Sequence, residues 1–158
     1  MKKSNTKKIR PVIGRVEKVD FPDLDLYDID CKTDTGAYTS SIHCHDITTY
    51  RLDETGEEVV RFFLLDPSHP SFNHREFVLP VKTRRKVKNS FGESQKRIII
   101  QTKMMLFSKV YVVELSLADR SRMNYPVLLG RKAINKRFLV DVSQKNLSHK
   151  LKISAKPL

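Results

Sequence analysis

Asp34-Thr35-Gly36-Ala37 sets a carboxylate at the mouth of a tight turn, directly after a strand-like run. Backbone N–H groups and the threonine hydroxyl can hold such a carboxylate, and the glycine lets a second chain segment come close. A carboxylate presented this way suits acid or base work on a water molecule. Alone, the tetrapeptide is more often an ordinary turn. Much later, Leu128-Leu129-Gly130-Arg131 runs into Lys132-Ala133-Ile134 and reads as the start of a short helix. The two motifs together suggest an active site.

Two further groups carry chemical potential. In His43-Cys44-His45, histidines one residue apart on a strand would face the same way and could chelate a metal. However, the chain has no His-Glu-x-x-His helix and no Cys-x-x-Cys pair, and further ligands would have to come from distant His69, His74 or Asp46. No metal site is assigned on this basis, and no Gly-rich phosphate loop is present. The second group is the basic run Lys82, Arg84, Arg85, Lys86, Lys88, Lys96 and Arg97, broken only by Glu93. One reading is a charged edge that resists aggregation; the other is a basic roof over a cleft. Side chains alternate along a strand, so Lys82, Arg84, Lys86 and Lys88 form one set and Arg85 points the other way. The roof reading puts the four-residue set, with Gly92 at the tip, over bound substrate, with Tyr38 and Thr39 as cleft walls.

The elements that must position these residues are mostly strands. Five glycines at 14, 36, 56, 92 and 130 punctuate segments rich in Val, Ile, Phe, Leu and Thr. Strands are expected at 12–19 and 26–33, the latter with Tyr27, Ile29, Cys31 and Thr33 on one face. Residues 45–52 and 58–65 should form a hairpin around Gly56, and 76–81 a further strand. A flap-like hairpin is expected with 82–88 facing 96–103, then a third hairpin from 97–106 and 109–118 turning near Phe107-Ser108. Helix is confined to 131–136, before a last strand at 138–142.

At 158 residues and net charge +12, the chain is long enough for one domain with a real core and is drawn to polyanions. Residues 1–10 read as a basic, loosely attached segment, 11–143 as the folded domain and 144–158 as a basic tail. Cys31 and Cys44 are expected to be buried free thiols, and the Lys-rich start has no apolar signal segment, so the expected location is cytoplasmic, with no membrane span.

The pattern Lys32-Thr33-Asp34-Thr35-Gly36-Ala37, Thr39-Ser40-Ser41-Ile42-His43, Val87-Lys88, Asp119-Arg120, Met123, Tyr125-Pro126, Leu128-Leu129-Gly130-Arg131 and Phe138-Leu139-Val140-Asp141 resembles the retropepsin-like aspartic peptidases. It is closer still to a bacterial branch often labelled "ATP-dependent zinc protease". The resemblance runs from about residue 12 to residue 142. Cys44 departs from it, standing where a small residue is common. The resemblance implies an all-β, closed acid-protease barrel with one short C-terminal helix, catalytic Asp34 and no required cofactor. Thr35, Gly36, Ala37, Gly130 and Arg131 would be its supporting residues, with Arg131 tying the helix to the turn. A single Asp-Thr-Gly per chain requires a homodimer, in which two carboxylates share a proton. Ala37, lacking the hydroxyl of a serine, favours work nearer neutral pH. Members of the family are associated with RimK-like ATP-grasp ligases, which add glutamates to protein C-termini. That association points to a peptide or protein substrate rich in glutamate. A non-catalytic basic barrel binding RNA or ribosome, and a zinc hydrolase using His43 and His45, are the competing classes.

Overall fold

The computed structural model describes residues 9–88, 91–119 and 124–155. Most of the basic N-terminal segment, Asn89 and Ser90 of the flap tip, Arg120 and Met123 of the family pattern, and the last three residues lie outside that description.

Eleven strands and two short helices follow one another in the described chain. They are β1 (Val12–Ile13), β2 (Val16–Phe21), β3 (Leu26–Thr33), β4 (Ser40–Arg51), β5 (Glu58–Leu64), β6 (Glu76–Pro80), β7 (Thr83–Lys88), β8 (Ser94–Leu106) and β9 (Lys109–Ala118). After these come β10 (Val127–Leu129), α1 (Arg131–Ile134), β11 (Leu139–Val140) and α2 (Leu147–Ser154). The main sheet runs β10-β3-β2-β8-β9-β4-β5-β6, and an additional β10–β4 pairing closes six of these strands into a ring. Closure removes the free edges that an open sheet would expose. Phe21, Ile29, Ile42, Phe62, Ile100 and Leu115 fill the interior, each fully or almost fully buried. This is the all-β barrel expected from the sequence.

The hairpins lie where local turn chemistry placed them. Phe107 and Ser108 both take positive φ (51° and 59°), the geometry that joins two antiparallel strands with two residues. β7 pairs antiparallel with β8 from Thr83↔Ile99 to Lys88↔Ser94.

Four local expectations change. The strand expected at 12–19 is split at Gly14, where a Cβ would stand 2.3 Å from the Gln144 carbonyl oxygen as the C-terminal segment crosses. In β3 the alternation breaks at Asp28, which has φ 52°, so Leu26 is buried and Tyr27 is 54 % exposed instead of facing the core with Ile29. β4 starts at Ser40 rather than 45, because Ser40–His43 pair in parallel with Leu115–Ala118, a long-range contact without local signature.

The fourth change is at the C-terminus. Residues 147–154, expected to belong to a loose basic tail, form a second helix docked on the barrel. Its N-cap, Asn146, is left-handed and gives no side-chain cap, so the first amides need another acceptor. Buried Glu17 supplies it. One carboxylate oxygen accepts from Gly14 N at 2.8 Å and Leu147 N at 3.1 Å, and the other from Ser148 N at 3.0 Å.

Candidate active site

Asp34 sits where β3 ends, and its surroundings are built by β10. That strand threads between β3, pairing Leu129↔Thr33 in parallel, and β4, pairing Leu128↔Ser41 antiparallel. β3 and β4 are the strands flanking the Asp34 turn, so the turn is clasped from behind by a segment far away in sequence. Asp34 N donates to the Leu129 carbonyl at 2.9 Å, Arg131 N to the Ala37 carbonyl at 2.8 Å, and Lys132 N to the Tyr38 carbonyl at 3.0 Å. Gly130 N donates to the buried Ser40 Oγ at 2.9 Å. The approach is so close that a Cβ on Gly130 would lie 2.7 Å from Tyr38 O and 2.9 Å from Ala37 O.

The carboxylate is oriented within its own turn. Gly36 N donates to Asp34 Oδ1 at 2.9 Å, while Thr35 and Gly36 are exposed beside the half-buried aspartate. Thr35 takes part through its carbonyl, which accepts from Arg131 Nη1 at 3.0 Å. Ala37 N closes the turn onto the Asp34 carbonyl at 3.3 Å.

The flap meets this region through Arg85, and its parity is the reverse of the expectation. Arg85 reaches the buried Thr39, donating to its Oγ1 at 3.1 Å, and pairs with Glu114 Oε1 at 3.1 Å. Its guanidinium lies 5.6 Å from the Tyr38 ring centre, and that of Arg131 lies 5.9 Å from the same ring. Arg84, expected over the cleft, turns the other way and pairs with Glu58 on β5. Lys86 and Lys88 share the Arg84 face of β7, with cross-strand partners Lys96 and Ser94. Lys82 precedes the strand and lines a shallow cleft with Glu114 and Lys132. Gly92 at the tip has φ 79° and open space around it. The parity failed because alternation identifies two sets but not which of them faces the site.

Glu114 was not foreseen. It is the lone acid in the otherwise apolar or small run Val110–Ala118 of β9, a signal that a strand interior rarely carries without a partner. It accepts from Arg85 and, at 2.6 and 2.8 Å, from Lys132 Nζ. Burial pushes its carboxyl pKa up, but the hydrogen bonds from Lys132 and Arg85 outweigh that and hold it below the usual carboxylate range. Flap, barrel and α1 thus meet at one carboxylate.

The histidines do not assemble a metal centre. His43, almost fully buried, has Nε2 at 2.9 Å from Asp66 and Nδ1 at 3.6 Å from Asp119, whereas His45 stacks on Phe63 with ring centres 5.6 Å apart. Among the described residues no three His, Cys, Asp or Glu side chains are grouped to hold a metal ion. Cys31 and Cys44 are free and buried; burial raises the Cys31 thiol well above its ordinary value and pushes Cys44 up to about 12. Neither is a nucleophile at neutral pH.

A closed β-barrel with a glycine-backed Asp-Thr-Gly-Ala turn, clasped by a Leu-Leu-Gly-Arg strand and helix, is a retropepsin-like architecture. The chain belongs to the RimB-like family, described as "Retropepsin-like aspartic endopeptidase RimB", whose model matches residues 12–151. It is similar to a "Probable alpha-L-glutamate ligase" of Desulfotalea psychrophila, 39% identical over 136 residues, which cover 84% of this chain and 28% of that protein. A protein of the same description from Shewanella pealeana is 39% identical over 137 residues, covering 84% of this chain and 29% of that protein. The chain therefore spans less than a third of these relatives' length. Among solved structures, Lpg0085 of Legionella pneumophila, described as of unknown function, superposes with a TM-score of 0.70 at 26% identity, covering 87% of this chain and 98% of that one. No helix among the described residues is long and apolar enough to cross a membrane.

Proposed function

We propose that the protein is a homodimeric aspartic endopeptidase of the cytoplasm that hydrolyses peptide bonds in glutamate-rich peptides or protein tails. The observation that carries this reading is the half-buried Asp34 carboxylate, oriented by the Gly36 amide, with Thr35 and Gly36 exposed next to it. A second copy related by a twofold axis can bring its own turn against this one, because a twofold interface sets the same patch against itself.

In such a pair the two Asp34 carboxyls hold one proton, since like charges in contact do not both ionise. The ionised carboxylate takes a proton from a water as its oxygen attacks the scissile carbonyl carbon, while the protonated partner gives its proton to the carbonyl oxygen. The resulting gem-diol collapses as a proton passes to the leaving nitrogen, and the C–N bond breaks. Thr35 braces the two turns across the axis, and Gly36 lets the substrate backbone pass. The relatives support the substrate class. A segment like this chain makes up part of proteins described as glutamate ligases, a link that favours a substrate bearing added glutamates.

The test is incubation of the purified protein with a peptide ending in a run of glutamates, with cleavage read by mass spectrometry. Asp34→Asn should abolish cleavage while keeping the unfolding midpoint and the sedimenting mass. A statine-type inhibitor should block turnover and a chelator should not. Turnover by Asp34→Asn, or loss with the chelator alone, overturns the reading.

A further inference from the structure

β7 pairs only with β8, and β8 meets β9 from Ile99 onward, so residues 84–88 and 94–98 form a two-stranded ribbon standing off the barrel. The ribbon carries Arg84, Arg85, Lys86, Lys88, Lys96 and Arg97, and neither of its strand segments holds an acid. We infer that the face of this ribbon turned away from Arg85 is a binding surface for single-stranded nucleic acid, with Lys86, Lys88 and Lys96 on its phosphates and Phe91 stacked on a base. The inference goes beyond the peptidase reading and does not depend on it, because it concerns the opposite side of β7 from the one that meets the catalytic turn.

Charge is the first observation. Glu114 takes up Arg85, and Glu58 is shared by Arg84 and Arg51, so the root of the ribbon is anchored and still carries a positive excess. Farther out, Lys86, Lys88 and Lys96 are exposed and take part in no ion pair among the described residues. Lys86 stands directly opposite Lys96 in the ladder, and like charges placed so cost stability. Lysines protect a free strand edge from pairing with another chain, but staggered lysines would do so without that repulsion. An anion lying between the two turns the repulsion into attraction.

Spacing is the second. Residues two apart on a strand lie about 7 Å from one another, so Lys86 and Lys88 suit neighbouring phosphates along a nucleic-acid chain. The third observation separates nucleic acid from other polyanions. Phe91, at the end of the ribbon, is 89% exposed and offers a flat apolar face to a base, for which a carboxylate has no use.

The test measures fluorescence anisotropy of a labelled oligouridylate of about twelve nucleotides with the full chain, Asp34 intact, from low to moderate salt. Lys86→Gln/Lys88→Gln/Lys96→Gln should weaken binding at least about tenfold at low salt and lower the slope of log K against log salt by about 2. The same variant should unfold at an equal or higher midpoint, because the opposed lysine pair is gone. Lys109→Gln/Lys145→Gln/Lys150→Gln, which removes the same charge from exposed positions elsewhere, should lose less than about threefold. Phe91→Ala should cost about fivefold or more with the slope unchanged. An oligoglutamate of equal length should displace the oligouridylate poorly. Equal losses in the two lysine variants would reduce the binding to net charge and overturn the surface. So would an unchanged salt slope, a Phe91→Ala chain that binds as the parent does, or equal displacement by oligoglutamate. Cleavage through Asp34 enters none of these readouts, so this inference and the peptidase reading fail separately.

Discussion

The two walls of the cleft are held by different physics. On the turn side, Asp34, Arg131 and Lys132 are fixed by backbone hydrogen bonds between the turn and the β10–α1 segment, and Gly130 admits no added atom. On the flap side, β7 is backbone-paired with β8, and what ties this hairpin to the rest of the cleft is side-chain charge: Arg85 on Glu114 and Thr39, and Arg84 on Glu58. Backbone clasping is short-ranged, insensitive to salt and intolerant of volume. Exposed ion pairs are weak, screened and reversible. A cleft built this way fixes its carboxylate more firmly than it fixes the hairpin beside it.

The largest effect should come from breaking the clasp. Gly130→Ala drives a methyl into the Tyr38 and Ala37 carbonyls and should cost about 3 kcal/mol, seen as a lowered denaturation midpoint with lost turnover. Ser40→Ala, which leaves the buried Gly130 amide without its acceptor, should cost about 1–3 kcal/mol by the same measurement. If both variants were as stable as the parent, the clasp would not be the rigid wall.

Arg85→Ala should cost no more than about 1 kcal/mol in stability yet raise KM and speed proteolysis within β7, with the parent approaching the variant as salt rises. The same latch responds to pH through Glu114. Its folded pKa is depressed, so its contribution is complete above the ordinary carboxylate value of about 4.3 and is lost as pH falls through the lower folded value. The protection factor of the β7 amides, with the intrinsic exchange rate divided out, should therefore be flat from about pH 8 to 5 and fall below, a response that Glu114→Gln removes. The smallest effect is Arg84→Ala: with Glu58 half-buried on the far face and also approached by Arg51, stability should fall only slightly and turnover should not change. A matching KM defect in Arg84→Ala would erase the difference between the two faces of β7.

How far the sequence revealed this depended on the range of the interactions involved. β3 was legible at both ends because a strand pattern meets a turn signal at Asp34, and the flap and third hairpins were legible from Gly92 and Phe107-Ser108. The start of β4 was not, since Ser40–His43 become strand only by pairing with Leu115–Ala118. The Arg84 and Arg85 faces could be separated by alternation but not assigned, because assignment needs Glu58 and Glu114 in three dimensions. α2 was hidden for the same reason: its cap is Glu17, 131 positions from Ser148. Asp34 and Gly130 were legible as a pair only through resemblance to a family, as neither turn nor helix start is distinctive alone.

The Arg131 to Thr35 bond spans 96 positions, and β10 is the last of the strands that close the barrel. A chain emerging from the ribosome therefore displays Asp-Thr-Gly-Ala long before it owns the strand that shapes it, and long-range pairings of this kind form late. A fragment released before Val127 should carry the aspartate but bind no statine-type inhibitor. The order of synthesis thus acts as a timer that withholds the shaped turn until the segment from Val127 to Arg131 has been made.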